Sequence, residues 1–223
     1  MNNHHGPVAL VTGASSGIGE VTAKRLSEAG YRVFATRRKG GGSSGLAYEI
    51  LALDVTSDES VTSAVGEVIR REERIDLLVN NAGINLSVGG AEESSIEQAK
   101  ALFDTNFFGM VRMTRAVIPH MRQQGVGRIV NIGSVTGFMP MPFMALYSAT
   151  KHALAAYSDA LDHELRDVGI RISVIEPAFM KTSIDANSQA SDAPMTEYHE
   201  VRRAMDTRVK EMLADAEDPI VVA

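Results

Sequence analysis

The 223-residue chain contains no cysteine. Disulfides and thiolate metal sites are therefore excluded, and a reducing cytoplasm is the natural compartment. No apolar run approaches the roughly 20 residues needed to span a bilayer, so no membrane span is expected. The opening MNNHHGPVAL lacks the charged, apolar and small-residue sections of a signal peptide. Net positive charge is missing too: the formal balance is −6, which offers no overall field to nucleic acid or an anionic membrane. His4 and His5 are followed by no carboxylate or histidine at ligand spacing. They read as a flexible lead-in, and no metal site is expected.

What is present is the balance of an ordinary soluble globular protein, 44% apolar and 22% charged. The length suits one domain over residues 1–223. Short β-branched runs at 8–13, 31–36, 49–55, 76–83, 127–134 and 170–177 read as strands. Most are apolar throughout, as strands covered on both faces are. Helical patterns lie between them near 17–29, 58–73, 95–124 and 147–168. This alternation predicts a doubly wound α/β fold, a parallel sheet between two helical layers in the Rossmann arrangement. SSIE at 94–97 has the spacing of a capping box, and Gly125 and Gly169 stand where helices need a left-handed cap. The link at 37–46 has no room for a helix. Asp218 and Pro219 look like the start of a further helix, as though a C-terminal helix and strand were to follow.

The stretch VALVTGASSGIGEVTAKRL runs strand, glycine-rich turn, helix. Gly13 allows a sharp turn, Gly17 a close backbone approach to a pyrophosphate, and Gly19 tight helix packing. Ser15 and Ser16 add hydroxyls, and Ile18 lies within the same turn. The helix N-terminus supplies unpaired N–H groups to phosphate. The spacing is Gly-x-x-x-Gly-x-Gly, moderately specific by itself. After the second strand come Thr36, Arg37, Arg38 and Lys39, with no acid nearby. A carboxylate there would suit the ribose 2′-hydroxyl of NAD, whereas guanidinium groups suit the 2′-phosphate of NADP. NADP(H) is therefore preferred over NAD(H), although a solvated basic turn would read the same. Asp54, followed by Val55 at the end of the third strand, is placed to meet an adenine or to cap the next helix.

With these residues in place, the chain resembles the short-chain dehydrogenase/reductases, in particular the ketoreductase and the hydroxysteroid and retinol dehydrogenase subgroup. TGASSGIG at 12–19 is similar to the family's cofactor turn and NNAG at 80–83 to its fourth-strand motif. Asn106 in DTNFFG, Ser134 in NIGSV and YSATK at 147–151 match its Asn, Ser, Tyr and Lys in order. Two departures are Ala178 after Pro177, where glycine is common, and Gly133, where a second serine is common.

The tyrosine–lysine spacing has a chemical reading of its own. Tyr147 and Lys151 lie one turn apart on one helix face. Reducing a carbonyl builds an alkoxide that needs a proton, and the reverse reaction needs a base. A free tyrosine has a pKa of about 10, and bringing it to about 7 requires roughly 4 kcal/mol in favour of the phenolate. One cation about 4 Å away at an effective dielectric of about 20 supplies on the order of that energy before desolvation. The resemblance further implies that Lys151 holds the nicotinamide ribose, that Ser134 bonds the substrate oxygen, and that Asn106 anchors a water. It implies that Thr182 meets the carboxamide, and that Asn81, Ala82, Gly83 and Pro177 line the cofactor cleft.

Phe138, Met139, Met141, Phe143 and Met144 precede the tyrosine as an adaptable apolar set, which favours a lipophilic carbonyl, a core or a subunit interface. Residues 183–210 resemble the family's substrate lid, with Met195, Tyr198 and Met205 as closing residues. The helices at 95–124 and 147–168 are apolar on more than one side, as in a homodimer or homotetramer. The expectation is an NADP(H)-dependent oxidoreductase that interconverts a ketone or aldehyde and an alcohol. The alternative is a non-enzymatic dinucleotide-binding regulatory protein, which has no use for Asn106, Ser134, Tyr147 and Lys151 together. An extended-branch epimerase would need a larger C-terminal domain, and a methyltransferase would not need the tyrosine and lysine.

Overall fold

A computed structural model of the chain describes residues 6–41, 45–182 and 188–223. His4, His5, part of the 37–46 link and the first residues of the 183–210 segment lie outside the described residues. The strands are β1 (Val8–Val11), β2 (Arg32–Arg37), β3 (Glu49–Ala52), β4 (Leu77–Asn80), β5 (Gly127–Ile132) and β6 (Ile170–Ile175). All pair in parallel, in the order β3-β2-β1-β4-β5-β6. This is the doubly wound sheet that the alternating pattern predicts.

The helices are α1 (Gly17–Glu28), α2 (Asp58–Glu72), α3 (Ile96–Phe103), α4 (Gly109–Gln124), α5 (Ala145–Leu165) and α6 (His199–Ala214). Because successive strand side chains alternate faces, Val8 and Leu10 of β1 point to one layer and Ala9 and Val11 to the other. The first pair joins Phe34 of β2, Val61, Val65 and Val68 of α2, and Met113, Val117 and Met121 of α4 in one core. The second pair joins Val33 and Ala35 of β2 and Ala23 of α1. Alanines dominate that side, which lets α1 sit close against the sheet and holds its N-terminus at the end of β1.

The long helical pattern at 95–124 is not one regular helix. A π-helical turn, Asp104–Phe108, separates α3 from α4, and the Gly109 N–H reaches back to the Asp104 carbonyl. Extra width here aims Asn106 inward, and such wide turns are common at functional sites. The start of α3 also differs in detail from the expected capping box. The N-cap is Ser95, whose hydroxyl accepts from the Gln98 N–H, while its own N–H donates to Asp192. Gly125 and Gly169 do adopt left-handed conformations, at φ 71° and 79°. Asp218 caps a short 3₁₀ turn, Pro219–Val221. No helix among the described residues is long and apolar enough to cross a membrane, and no cluster of metal-ligating side chains occurs among them.

One acid ties the end of α5 to the edge strand. Asp162 accepts from Arg171, from the Ile172 N–H and from Arg166. The Arg171 guanidinium, followed by the Ile172 N–H, holds its carboxyl well below the usual carboxylate range. A depressed carboxyl stabilises the fold above its unfolded pKa, about 3.9, and that contribution is lost as pH falls. Urea midpoints should therefore decline below about pH 4, and Asp162→Asn should flatten the decline. An equal acid slope in the variant would contradict this role.

Candidate active site

The carboxyl ends of β1 and β4 diverge where the strand order reverses, which is where doubly wound sheets bind ligands. Two side chains clasp the divergence. The Thr12 hydroxyl accepts from the N–H groups of Asn81 and Ala82, at 3.0 Å each. The Asn81 amide donates to the carbonyls of Thr12 and Gly13, at 3.0 and 2.9 Å. These bonds pull the chain out of β4 after Asn80, so the strand ends earlier than the apolar run at 76–83 predicts. Thr12 belongs to the glycine-rich stretch but was not itself legible as the hub. Its partner lies 69 residues away.

The clasp leaves no room for side chains on the turn. Gly13 and Gly17 have φ of 65° and 61°, a region that glycine enters without strain. A Cβ on Gly13 would lie 2.7 Å from the Ala82 Cα, and one on Gly19 would lie 2.3 Å from the Asn81 amide nitrogen. Ser16 sits at the N-cap of α1, yet its side chain caps nothing there. The first turn of α1 thus opens into the cleft with its N–H groups uncapped by that side chain.

The cleft encloses about 840 Å³ and runs from this turn to Tyr147 and beyond. Gly13, Ser15, Ser16, Gly17 and Ile18 line it, and so do Arg37, Arg38, Asp54 and Val55 from the next strands. Asn81, Ala82, Gly83, Ser134, Tyr147, Lys151, Pro177 and Thr182 complete the sequence-predicted set on its walls. Gly19 is packed behind the turn. Asn106 is also behind the wall, 2% exposed. Its amide accepts from the Ile84 N–H and donates to the Ile84 carbonyl, at 2.8 and 2.9 Å. It also donates to the Thr150 hydroxyl. Its side chain is spent on holding the strand-4 loop in place.

Arg37 is half-buried, and both it and Arg38 line the cleft. Guanidinium groups there suit an acidic ligand group. Asp54 does not cap α2, because Ser57 does so by accepting from the Ser60 N–H. The Asp54 carboxylate instead accepts from the hydroxyl and N–H of Thr56. Those bonds lower its pKa below the ordinary carboxylate value.

Lys151 is buried, and its ammonium donates to the Ile132 carbonyl at 2.8 Å. Its Nζ lies 5.7 Å from the centre of the Tyr147 ring. Burial penalises the charge and pulls its pKa down to about 8. Ser134, two residues beyond β5, caps a short 3₁₀ turn and accepts from the Thr136 N–H and hydroxyl, at 3.2 and 3.0 Å. Both acceptor positions are thereby used, and its own proton is left to donate. Gly133 has the Val174 side chain 2.9 Å from where a Cβ would stand, so a second serine would need that neighbour to move.

Sequence reasoning missed Thr36, Ile84, Asn85 and Gln189, which also line the cleft. Gln189 had no local signal, since its chain reaches the site only by tertiary docking. Of the apolar set before Tyr147, only Met144 lines the cleft. Phe138 and Met139 are 63% and 57% exposed, and the Phe143 ring packs edge-on against Tyr198. Met195, Tyr198 and Met205 are not among the lining residues.

The comparisons with known proteins agree with this geometry. A family model described as short chain dehydrogenase matches residues 7–193. A 3-ketodihydrosphingosine reductase of Bacteroides thetaiotaomicron is 40% identical over 186 residues, which cover 83% of this chain and 68% of that protein. A short-chain dehydrogenase structure from Streptomyces avermitilis is 33% identical with a TM-score of 0.86, over 99% of this chain and 82% of that one. A metagenomic short-chain oxidoreductase solved with NADP is 31% identical with a TM-score of 0.72, over 77% and 81% of the two chains.

Two outcomes test the packing and the electrostatics. Gly19→Ala should cost about 1–3 kcal/mol of stability in urea melts, and an unchanged midpoint would contradict the contact with Asn81. For Lys151 the native state releases its proton near pH 8, whereas the unfolded chain keeps it to about 10.4. The unfolded state binds more protons in that window, so this term raises stability with pH there. The wild-type minus Lys151→Met difference in unfolding free energy should therefore climb between those limits. A flat difference would mean that the ammonium is not desolvated.

Proposed function

The chain belongs to the short-chain dehydrogenase family and is a dehydrogenase/reductase enzyme, and on that premise we propose that it is an NADP(H)-dependent oxidoreductase interconverting a lipophilic ketone or aldehyde and its alcohol. The observation that carries this reading is that the glycine turn, the two arginines and the Tyr147–Lys151 pair open into one cleft. In this reading Gly13, Ser15, Ser16, Gly17 and Ile18 would hold the pyrophosphate, with Gly19 packed behind them to let the turn close. Asp54 and Val55 flank the adenine, and Thr182 and Pro177 the nicotinamide end. Arg37 and Arg38 take the 2′-phosphate, which supports NADP over NAD.

A dinucleotide held by these residues would supply the hydride in reduction and accept it in oxidation. Ser134 donates a hydrogen bond to the substrate oxygen, keeping its own proton, and orients the carbonyl. Tyr147 donates its own proton to that oxygen in reduction and takes it back in oxidation. Lys151 places a poorly hydrated positive charge beside the ring, favouring the phenolate. A lysine pulled to about 8 still carries that charge near neutrality. Asn106 keeps the floor of the cleft in register through Ile84.

Met144 supports an apolar substrate, and exposed Ile96 and Phe108 on α3 and the π turn support a homodimer or homotetramer. The absence of cysteine supports a cytoplasmic setting. A non-enzymatic dinucleotide-binding role would leave the buried lysine without a purpose.

Fluorescence titration with NADPH and NADH tests the cofactor. NADPH should bind more tightly, and Arg37→Ala and Arg38→Ala should each weaken it by about tenfold or more while NADH affinity is unchanged. In a carbonyl screen, Tyr147→Phe should lower kcat by a factor of about 10² to 10⁴. Equal loss of both nucleotides in the arginine variants would overturn the 2′-phosphate assignment.

A further inference from the structure

Glu93 is completely buried, and nothing in the proposed chemistry uses it. It lies in a short 3₁₀ turn, Ala91–Glu93, after the strand-4 loop. A buried carboxylate is held there only if its oxygens are paired. One oxygen accepts from the Gly90 N–H at 2.5 Å, and the other from the Met195 N–H at 2.7 Å. The second oxygen also forms an ion pair with Arg202 of α6, and the Glu93 carbonyl accepts from the Ala193 N–H at 2.9 Å. Three of these four partners belong to the segment at 188–202, about 100 residues further along the chain.

The surrounding contacts run the same way. Asp192 accepts from Ser95, the Gln98 side chain donates to the Ala190 carbonyl, and the Tyr198 hydroxyl donates to Glu92 at 2.6 Å. The Tyr198 ring also lies against Gly90, where a Cβ would stand 2.9 Å from it. At the far end of this seam Gln189 pairs in parallel with Leu86. Its N–H donates to the Asn85 carbonyl, and its carbonyl accepts from the Ser87 N–H. Gln189 and Asn85 both line the cleft, and the Gly89 N–H of the same loop donates to the carbonyl of Phe143, next to Met144, at 3.0 Å.

We infer that Glu93 and Arg202 form a latch that docks residues 189–195 and so positions Gln189 in the cleft wall near Met144, setting affinity for substrate but not for dinucleotide. The inference rests on the oxidoreductase reading. Glu93 touches no reacting atom and is a positioning residue. The nucleotide half of the cleft is built on β1, β2 and the clasp at Thr12. Releasing the latch frees the wall, and a wall formed only a fraction of the time raises apparent substrate KM by the inverse of that fraction.

The test compares wild-type protein with Glu93→Gln, Arg202→Gln and Arg202→Lys. NADPH Kd, substrate KM and kcat, and amide exchange at Ala193 and Met195 are measured for each. Arg202→Gln serves as the milder variant where Glu93→Gln folds poorly, because Glu93 keeps its N–H partners. In the two glutamine variants, exchange at those amides should rise about tenfold, KM should rise about tenfold, and NADPH Kd and kcat should stay within about twofold of wild type. Arg202→Lys should recover most of the KM, which a purely structural loss would not show. Faster exchange with unchanged KM would overturn the inference, as would unchanged exchange or a matching loss of NADPH affinity. A wild-type protein that binds NADPH but reduces no carbonyl would sink the oxidoreductase reading instead, and the exchange rates would then decide the latch by themselves.

Discussion

Everything at the active end of this molecule depends on how the gap between β1 and β4 is held. Parallel neighbours with helices leaving on opposite faces must part at their carboxyl ends, which strands backbone donors and acceptors without ladder partners. Thr12 and Asn81 satisfy four of them with one hydroxyl and one amide. The clasp brings Ala82 against Gly13 and Asn81 against Gly19 so closely that neither glycine could carry a side chain. The cleft is thus a consequence of satisfied backbone at the parting of the two strands.

Within the cleft the charge is arranged by burial. Lys151 has lost most of its water, and the Ile132 carbonyl replaces only part of it. A desolvated cation has a lowered pKa and a long electrostatic reach, both useful beside a tyrosine. Ser134 follows just beyond the same strand end, so a carbonyl for the lysine and a hydroxyl for the cleft stand two residues apart. Asn106 works from behind, through a turn widened by one residue, and fixes Ile84 in place of entering the cleft.

The opposite wall is built differently. It comes from a segment distant in sequence that docks through polar bonds around one buried carboxylate. Such a seam is directional and breakable, unlike the aliphatic packing under the sheet. The two ends of the cleft are therefore made by different kinds of contact.

The sheet, its parallel sense and the residues of the glycine turn were legible in the sequence because they follow from short-range rules. Alternation sets the faces of strands, helical periodicity sets the helices, and glycine spacing marks the turn. Tyr147 and Lys151 were legible for the same reason, being four residues apart on one helix. Where long-range partners decide, the sequence misled or was silent. The apolar run at 76–83 ends early because Thr12 claims its amides. The cap of α3 moved to Ser95 because Asp192 docks there, and Asp54 left the cap of α2 to Ser57 for a bond to Thr56. For Phe138 and Met139 the sequence left pocket, core and subunit interface open, and both side chains turn outward. Gln189 and the Glu93–Arg202 pair gave no signal at all, since what they do depends on contacts spanning about a hundred residues. Local periodicity determined the frame. The contents of the cleft were decided by tertiary packing, because a hydrogen bond between distant residues leaves no pattern in either one's neighbourhood.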